Sequence, residues 1–296
     1  MKKSSFIYMI MIALAAILSS CNKEIIIDLD GEKVEVPAAK YKVKVTDLHT
    51  QRDGMKVYGK MYRPEGLEGK LPAVICCHGL MGHYTDCVPY AEEAAKRGFA
   101  AYCFDFCGGS MVSYSGGAYK DMSIFTEQKD LQAVIKLIKA QKDIDTENIF
   151  IAGASQGGLV TGMEAAEQKN AVKGIILLFP AFNIPGLFQA QLPKMYPDLS
   201  TAPDKVSIPG FTFFRAYWEN IMDYEPYAVI GAYKGPVLIM HGTVDPLVPL
   251  SSSEKAAEIY ENADLVVLKN QTHGFTGNGF TQSVNEILNF LFKHVD

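Results

Sequence analysis

Hydrophobic and polar positions follow two different periods from about residue 41 onward. Alternating positions at 41–48 and 55–62 flank the turn-forming sequence Asp53-Gly54 and predict an antiparallel hairpin. Continuous apolar runs at 72–77 and 99–104 are typical of strands buried on both faces of a sheet. The first third of the chain therefore predicts an antiparallel edge followed by buried strands.

The remaining sequence alternates between apolar strand runs and helical periodicity. Predicted strands follow at 148–152, 174–179, 236–240 and 263–268, and predicted helices at 90–97, 122–141, 156–168, 252–260 and 284–294. Strand–helix alternation of this kind predicts an α/β fold class. The sheet is expected to be mostly parallel, with helices on both faces and the hairpin as its antiparallel N-terminal edge.

One stretch, residues 182–233, interrupts this alternation. It is rich in proline and aromatic residues and is too long for a plain loop in a compact domain. We therefore expect an inserted cap over the carboxyl ends of the strands.

The N-terminus has the pattern of an export signal. Lys2 and Lys3 precede an apolar run at 6–18, which is shorter than the roughly 20 residues of a spanning helix. The following Leu18-Ser19-Ser20-Cys21 resembles a bacterial lipobox, although an ordinary signal peptide ending near a cysteine is the alternative. The pattern predicts a signal peptide at 1–20, a tether at 21–40 lipidated on Cys21, and one domain at 41–296. The protein is expected to be an exported, membrane-anchored lipoprotein of the cell envelope.

Composition narrows the class of function. The chain has 296 residues, of which 48% are hydrophobic, and a net charge of −5, which gives no basic footprint for nucleic acid. Besides Cys21 there are five cysteines, without zinc spacing and without a regular disulfide framework. Pairing of Cys103 with Cys107 stays open for an exported protein.

The motif with the clearest chemistry is Gly153-Ala154-Ser155-Gln156-Gly157-Gly158. It follows the apolar run at 149–152 and opens a predicted helix, the context of a nucleophile elbow. The glycines allow a sharp turn, and the helix N-terminus directs N–H groups at developing negative charge. Ser155 is the predicted nucleophile; a glycine-rich turn without catalysis is the alternative.

A serine nucleophile needs a general base that an acid orients, and in this type of site the acid precedes the base along the chain. His273 follows the last predicted strand, whereas His241 ends a strand and His294 lies in the terminal helix. Asp245 follows the strand at 236–240, while Asp264 opens a strand at the opposite edge of the sheet. We therefore predict Asp245 as the acid and His273 as the base.

Two backbone amides are expected to form an oxyanion hole. They belong to Gln156, which follows the nucleophile, and to Leu80 in the loop after the third predicted strand, 72–77. His78 is expected to brace that loop, and Cys77 is expected to be a buried strand residue. This chemistry predicts neither a metal nor an organic cofactor.

Six segments together resemble the serine α/β-hydrolases, and most closely the cinnamoyl (feruloyl) esterase-like branch. They are His78-Gly79-Leu80, Asp105 to Ser110, Met122 to Glu127, Gly153 to Gly158, Gly242 to Pro249 and Thr272 to Phe275. The resemblance spans about residues 41 to 294. It implies a carboxylic-ester hydrolase, acting on hydroxycinnamate or other short acyl esters of plant carbohydrates, whose cap contributes to an acyl pocket.

The aromatic residues of the predicted cap suggest that pocket. They are Phe211, Phe213, Phe214, Tyr217 and Trp218, and packing of the cap onto the domain is the alternative role for them. The sequence leaves two other functions open. One is a serine peptidase of prolyl-peptidase type, and the other is a lipoprotein that binds a ligand on a non-catalytic hydrolase fold.

Overall fold

The structure, a computed structural model, describes residues 36–169, 171–208 and 210–296. The predicted signal peptide, Cys21 and most of the predicted tether lie outside these residues and stay predictions. No helix in the described ranges has both the length and the apolar character needed to cross a membrane.

The described residues form twelve strands, of which eight make one large sheet. The strands are β1 Val43–Asp47, β2 Thr50–Arg52, β3 Met55–Val57, β4 Gly59–Pro64, β5 Leu71–Cys77, β6 Ala100–Phe104, β7 Ile144–Ala154, β8 Gly174–Leu178, β9 Lys205–Ile208, β10 Phe211–Phe214, β11 Val237–Gly242 and β12 Ala263–Leu268. The order in the large sheet is β1-β4-β6-β5-β7-β8-β11-β12. The six strands from β6 to β12 pair in parallel, while β4 and β1 add an antiparallel edge. The predicted sheet is confirmed.

Helices cover both faces of this sheet, as predicted. They are α1 Val88–Ala95, α2 Ile124–Lys139, α3 Gln156–Glu167, α4 Ile184–Met195, α5 Arg215–Ile221, α6 Pro226–Val229, α7 Leu250–Ile259 and α8 Asn278–His294. Ala91 of α1 and Leu291 of α8 pack into one apolar cluster, and Leu131 of α2 and Leu159 of α3 into a second. The sheet thus separates two cores.

The central strand β5 shows why its sequence is apolar throughout. Ala73 and Ile75 belong to the cluster on one face, and Val74 and Cys76 belong to the cluster on the other. Because successive side chains of a strand point to opposite faces, a strand covered on both sides needs an apolar residue at every position. The continuous run follows from this double burial.

The N-terminal hairpin differs from the prediction. Asp53 and Gly54 have φ angles of 52° and 78° and close only the short pair β2–β3. A two-residue turn with both φ angles positive matches the twist of a tight hairpin, so pairing begins directly beside it. The longer strands β1 and β4 pair separately in the large sheet. The last helix also begins earlier than predicted, at Asn278.

All five cysteines of the described residues are free and buried. Cys103 lies inside β6, and the Sγ atom of Cys107 is 3.5 Å from the carbonyl oxygen of Lys56. The question left open by the sequence is answered for this pair: they form no disulfide.

The segment 182–233 runs between β8 and β11 and carries its own secondary structure. It contains α4, the two-stranded antiparallel sheet β9–β10, α5 and α6. Phe188 of α4 contacts Phe213 of β10, with ring centroids 4.9 Å apart. We call this segment the cap.

The N-terminus of α3 packs unusually closely on the loop after β5. A Cβ atom added to Gly157 would stand 2.3 Å from the carbonyl oxygen of His78 and 2.6 Å from that of Cys77. A Cβ atom on Gly153 would stand 2.3 Å from the carbonyl oxygen of Gly157. Backbone atoms cannot yield as a flexible side chain can, so these positions need glycine.

Replacing Gly157 with alanine tests this packing. Gly157→Ala should lower the free energy of unfolding by about 2 kcal/mol or more, because the helix must move off the loop. Gly186 in α4 is a matched control, since a Cβ atom there meets nothing within 4 Å. Gly186→Ala should be neutral or stabilising by up to about 1 kcal/mol. Equal urea midpoints for the two variants would contradict the close approach.

Candidate active site

Ser155 lies in the sharp turn between β7 and α3. Its φ and ψ angles are 53° and −119°, a conformation that residues other than glycine rarely adopt. The turn is held by hydrogen bonds from the Ser155 amide to the Leu178 carbonyl at 2.9 Å, and from the Gly158 amide to the Ser155 carbonyl at 3.0 Å. The turn has the geometry expected of a nucleophile elbow, which would lift the hydroxyl above the strand ends.

His273 and Asp245 meet Ser155 at the carboxyl ends of the strands. His273 follows β12, and its Nε2 atom is 3.0 Å from the Ser155 Oγ atom. Its Nδ1 atom is 2.7 Å from the Oδ2 atom of Asp245, which follows β11. An ionised carboxylate can only accept, so Nδ1 carries the proton and Nε2 is free to accept one from Ser155. The structure brings the three predicted residues together.

Asp245 is held as an anion although its side chain is only 1% exposed. Its Oδ1 atom accepts hydrogen bonds from the amides of Leu247 at 2.8 Å and Val248 at 3.0 Å. Burial raises the pKa of Asp245, but hydrogen bonds from His241, His273 and the two amides outweigh burial and hold the pKa well below its usual range.

His241 contributes to this site in a way that the sequence did not reveal. It is fully buried, with Nε2 3.0 Å from the Val248 carbonyl oxygen and 3.4 Å from Asp245 Oδ2. Both are acceptors, so Nε2 carries a proton, and in the neutral ring Nδ1 accepts from the Ser253 hydroxyl at 2.7 Å. The sequence presents His241 only as a rival base. Its spacing of four residues from Asp245 was the available signal for this supporting role.

The loop after β5 lies against the serine, as expected of an oxyanion loop. A Cβ atom on Gly79 would stand 3.1 Å from the Ser155 Cβ atom, and Leu80 lies on the wall of the adjoining cavity. Within the described residues, neither the Leu80 amide nor the Gln156 amide donates to another protein group. Both N–H groups are therefore available to an oxygen of a ligand.

His78 braces this loop and does not reach the serine. Its Nε2 atom accepts from the Phe106 amide at 3.2 Å, and its Nδ1 atom donates to the Gly79 carbonyl at 2.8 Å. Burial lowers the pKa of His78, which fits this neutral tautomer. The neighbouring Cys77 is fully buried, and burial raises the pKa of its thiol well above the ordinary value, so it is no nucleophile.

A cavity of about 880 Å³ opens beside Ser155 and His273. Body and cap together form its wall, which is largely apolar and aromatic. Besides Ser155 and His273 it includes Leu80, Asp86, Tyr90, Phe179, Asn183, Ile184, Leu187, Phe188, Ile208, Phe211, Phe213, Leu247, Phe275 and Phe280. Among the described residues, Asp86 supplies the acidic side chain of the wall and His273 the basic one.

Only part of the predicted aromatic pocket reaches this cavity. Phe211 and Phe213 lie on the same face of β10 and line the wall. Phe214 points to the other face of that strand, and Tyr217 and Trp218 are buried within the cap and its contact with the body. These last three do not line this cavity, because strand alternation and the turn into α5 direct them elsewhere, which favours the alternative that they pack the cap.

Two family models match successive parts of the chain. The model described as "Serine aminopeptidase, S33" matches residues 70–207. The model described as "TAP-like protein" matches residues 216–293.

Relatives among known proteins have several activities. The uncharacterized peptidase YuxL of Bacillus subtilis is 23% identical over an alignment of 267 residues, and the match covers 84% of this chain and 38% of that protein. The mitochondrial palmitoyl-protein thioesterase ABHD10 of Bos taurus is 24% identical over an alignment of 224 residues, and the match covers 70% of this chain and 68% of that protein. A probable acetylxylan esterase A of Aspergillus fumigatus is 26% identical over 42% of this chain and 34% of that protein. The chain thus spans well under half the length of the peptidase YuxL and of the acetylxylan esterase.

Solved structures match over most of the chain. Est1E from Butyrivibrio proteoclasticus, with ferulic acid bound, superposes with a TM-score of 0.74 at 26% identity, covering 83% of this chain and 98% of that one. Mouse alpha/beta hydrolase domain-containing protein 10 superposes with a TM-score of 0.69 at 18% identity, covering 84% and 99%. At that lower identity the second match supports the fold alone.

The charge on Asp245 can be tested by stability. A carboxyl whose pKa is depressed on folding stabilises the protein above its unfolded pKa of about 3.9, and this contribution is lost as the pH falls through the folded pKa. Asp245→Asn should therefore lower the free energy of unfolding by about 1–3 kcal/mol at pH 7 and pH 5. The difference in free energy of unfolding between this variant and the wild type should become smaller at pH 3.

Asp264 supplies the control for this comparison. Its side chain is 49% exposed, and its nearest cation is Lys293 at 3.7 Å. Asp264→Asn should change stability by less than about 0.5 kcal/mol. Urea unfolding at pH 7, 5 and 3 measures the free energy of unfolding of both variants and of the wild type. If the difference between Asp245→Asn and the wild type stays constant down to pH 3, the Asp245 carboxyl is not held ionised in the folded protein.

Proposed function

We propose that this chain, whose fold matches those of α/β-hydrolases, is a serine esterase that cleaves carboxylic esters through an acyl-enzyme on Ser155. One observation carries the proposal. The Ser155 Oγ atom is 3.0 Å from His273 Nε2, whose ring is bound to Asp245 at 2.7 Å, beside a cavity with largely apolar walls. Nucleophile, base and orienting acid are within hydrogen-bond reach of one another.

The reaction takes two acyl-transfer steps. His273 accepts the Ser155 proton as Oγ attacks the ester carbonyl, while Asp245 stabilises the imidazolium. The amides of Leu80 and Gln156 bind the developing oxyanion, and each contributes about 3 kcal/mol to the transition state. His273 then protonates the leaving alcohol. In the second step it takes a proton from the water that attacks the acyl-enzyme, and it returns this proton to the Ser155 Oγ atom as the bond from Oγ to the acyl group breaks and the acid is released.

The shape and lining of the cavity support an aromatic acyl group. A volume of about 880 Å³ far exceeds the needs of an acetyl group, and Phe188, Phe211 and Phe213 supply aromatic surface from the cap. Est1E, similar at 26% identity, was solved with ferulic acid bound, and an acetylxylan esterase is among the relatives. We propose hydroxycinnamate esters of plant carbohydrates as the preferred substrates, with shorter acyl esters as poorer ones.

A serine peptidase is the second candidate. The model for serine aminopeptidases matches residues 70–207, and Asp86 on the cavity wall could pair with a free amino terminus. However, the Asp86 Oδ2 atom already accepts from the His83 amide at 2.9 Å, and the rest of the wall is mostly apolar. Hydrolysis of aminoacyl arylamides at a rate comparable to that of esters would favour the peptidase.

Removing the serine hydroxyl tests the proposed esterase. Ser155→Ala should lower kcat/KM for a feruloyl ester at least about 10³-fold, because the nucleophile and base act as one unit. The melting temperature should not fall, since alanine keeps the Cβ atom of the turn and removes only the hydroxyl. A folded Ser155→Ala protein that turns over esters at the wild-type rate rules out Ser155 as the nucleophile.

Two phenylalanines on β10 test the acyl pocket. Phe211 and Phe214 are both half-buried, but only Phe211 lines the cavity. Phe211→Ala should raise KM for a feruloyl ester about tenfold, from lost apolar contact, and leave acetyl-ester kinetics within about twofold. Phe214→Ala should change neither. Equal wild-type rates on acetyl and feruloyl esters, or equal effects of the two variants, would remove the aromatic pocket.

A further inference from the structure

A buried glutamate lies next to the proposed oxyanion hole and takes no part in the mechanism above. Glu127, in the first turn of α2, is 1% exposed. Its Oε2 atom accepts a hydrogen bond from Nε2 of the Gln156 side chain at 2.8 Å. Its Oε1 atom is buried and has no hydrogen-bond partner among the described residues.

The Gln156 side chain also reaches the cap. Its Oε1 atom accepts a hydrogen bond from the Tyr217 hydroxyl at 2.7 Å, and both residues are buried. Glu127, Gln156 and Tyr217 therefore form one hydrogen-bond chain across α2, α3 and α5. The middle residue is the one whose backbone amide follows the nucleophile.

Among the described residues, no cationic side chain is free to balance the charge of an ionised Glu127. The titratable groups that face it are Asp130 on the same helix, Cys77 on β5, Tyr119 in the short 3-10 turn before α2, and Tyr217 on α5. All of these are neutral or negative. The nearby Arg52 is already paired with Asp130 at 2.8 Å. Burial raises the pKa of Glu127 to about 8, against the hydrogen bond from Gln156, which lowers it.

We propose that Glu127 is a positioning residue of the esterase: its carboxyl fixes the Gln156 side chain, with Tyr217 of the cap at the other end, and so holds the Gln156 amide at the oxyanion. The proposal rests on the proposed function, because it needs an oxyanion at that amide. Loss of the Glu127 proton would place an unbalanced negative charge one side chain away from the oxyanion and weaken its stabilisation.

The pH dependence of kcat tests the positioning role of Glu127. In the wild type, kcat for a feruloyl ester should fall above about pH 8 as Glu127 ionises. Glu127→Gln keeps the acceptor for Gln156 but cannot ionise. It should retain kcat at pH 7 within about twofold and lose the alkaline decline.

Two further variants test Tyr217, at the other end of the hydrogen-bond chain, and provide a control. Tyr217→Phe leaves the Gln156 Oε1 atom unpaired and should lower kcat about tenfold at pH 7 while KM stays within about twofold. The control is Glu164, a second buried carboxyl, which lies on α3. It accepts hydrogen bonds from Gln128 and Gln132 and not from Gln156. Glu164→Gln should keep the wild-type alkaline decline.

Stability gives a second readout that does not depend on turnover. A carboxyl whose pKa is raised on folding contributes stability that is fully present below its unfolded pKa of about 4.3 and is lost as the pH rises through the folded pKa of about 8. The melting temperature of Glu127→Gln should therefore rise relative to that of the wild type between pH 5 and pH 8.5.

The outcomes separate the two proposals. If the wild type hydrolyses esters and a fluorophosphonate labels Ser155, yet Glu127→Gln keeps the alkaline decline, the positioning role is overturned and the esterase stands. The positioning role is likewise overturned if Glu127→Gln shows no relative gain in stability with pH. If the wild type neither turns over esters nor is labelled, the esterase and the positioning role fall together.

Discussion

The sharp turn between β7 and α3 is the constraint on which the rest of the site depends. It forces Ser155 to a φ angle of 53° and brings the start of α3 so close to the loop after β5 that Gly157 cannot carry a side chain. The same approach places Gly79 and Leu80 beside the serine and the Gln156 amide at the helix N-terminus. Nucleophile and proposed oxyanion donors are therefore positioned by one packing contact.

The protonation states of two buried carboxyls, Asp245 and Glu127, also depend on their surroundings. Asp245 is buried, yet four donors keep it ionised, and it then holds the His273 ring in the tautomer that can accept the serine proton. Glu127 is buried too, but one amide donor and no available cation among the described residues leave it neutral. The number of donors around each carboxyl thus favours opposite protonation states for the two, and both accept a hydrogen bond from a neighbour of Ser155, Asp245 from His273 and Glu127 from Gln156.

Much of the fold, and the meeting of the three candidate triad residues, could be predicted, because each rests on a local pattern. Strand β5 is apolar throughout since both of its faces are covered, and Ser155, Asp245 and His273 each follow a strand that ends at the same edge of the sheet. The cap could not be predicted residue by residue. Phe213 and Tyr217 look equivalent in sequence, but only strand alternation and the start of α5 decide that one lines the cavity while the other bonds to Gln156. The roles of His241 and Glu127 depend on contacts between distant segments, which periodicity does not report.

The proposed mechanism requires that the Ser155 hydroxyl carries the acyl group during turnover. The most direct measurement is mass spectrometry of peptides from enzyme quenched in acid while it hydrolyses a feruloyl ester. The peptide containing Ser155 should gain the mass of one feruloyl group, and this adduct should disappear once the substrate is consumed. Continued hydrolysis with an unmodified Ser155, or an acyl group on a different residue, would contradict the mechanism.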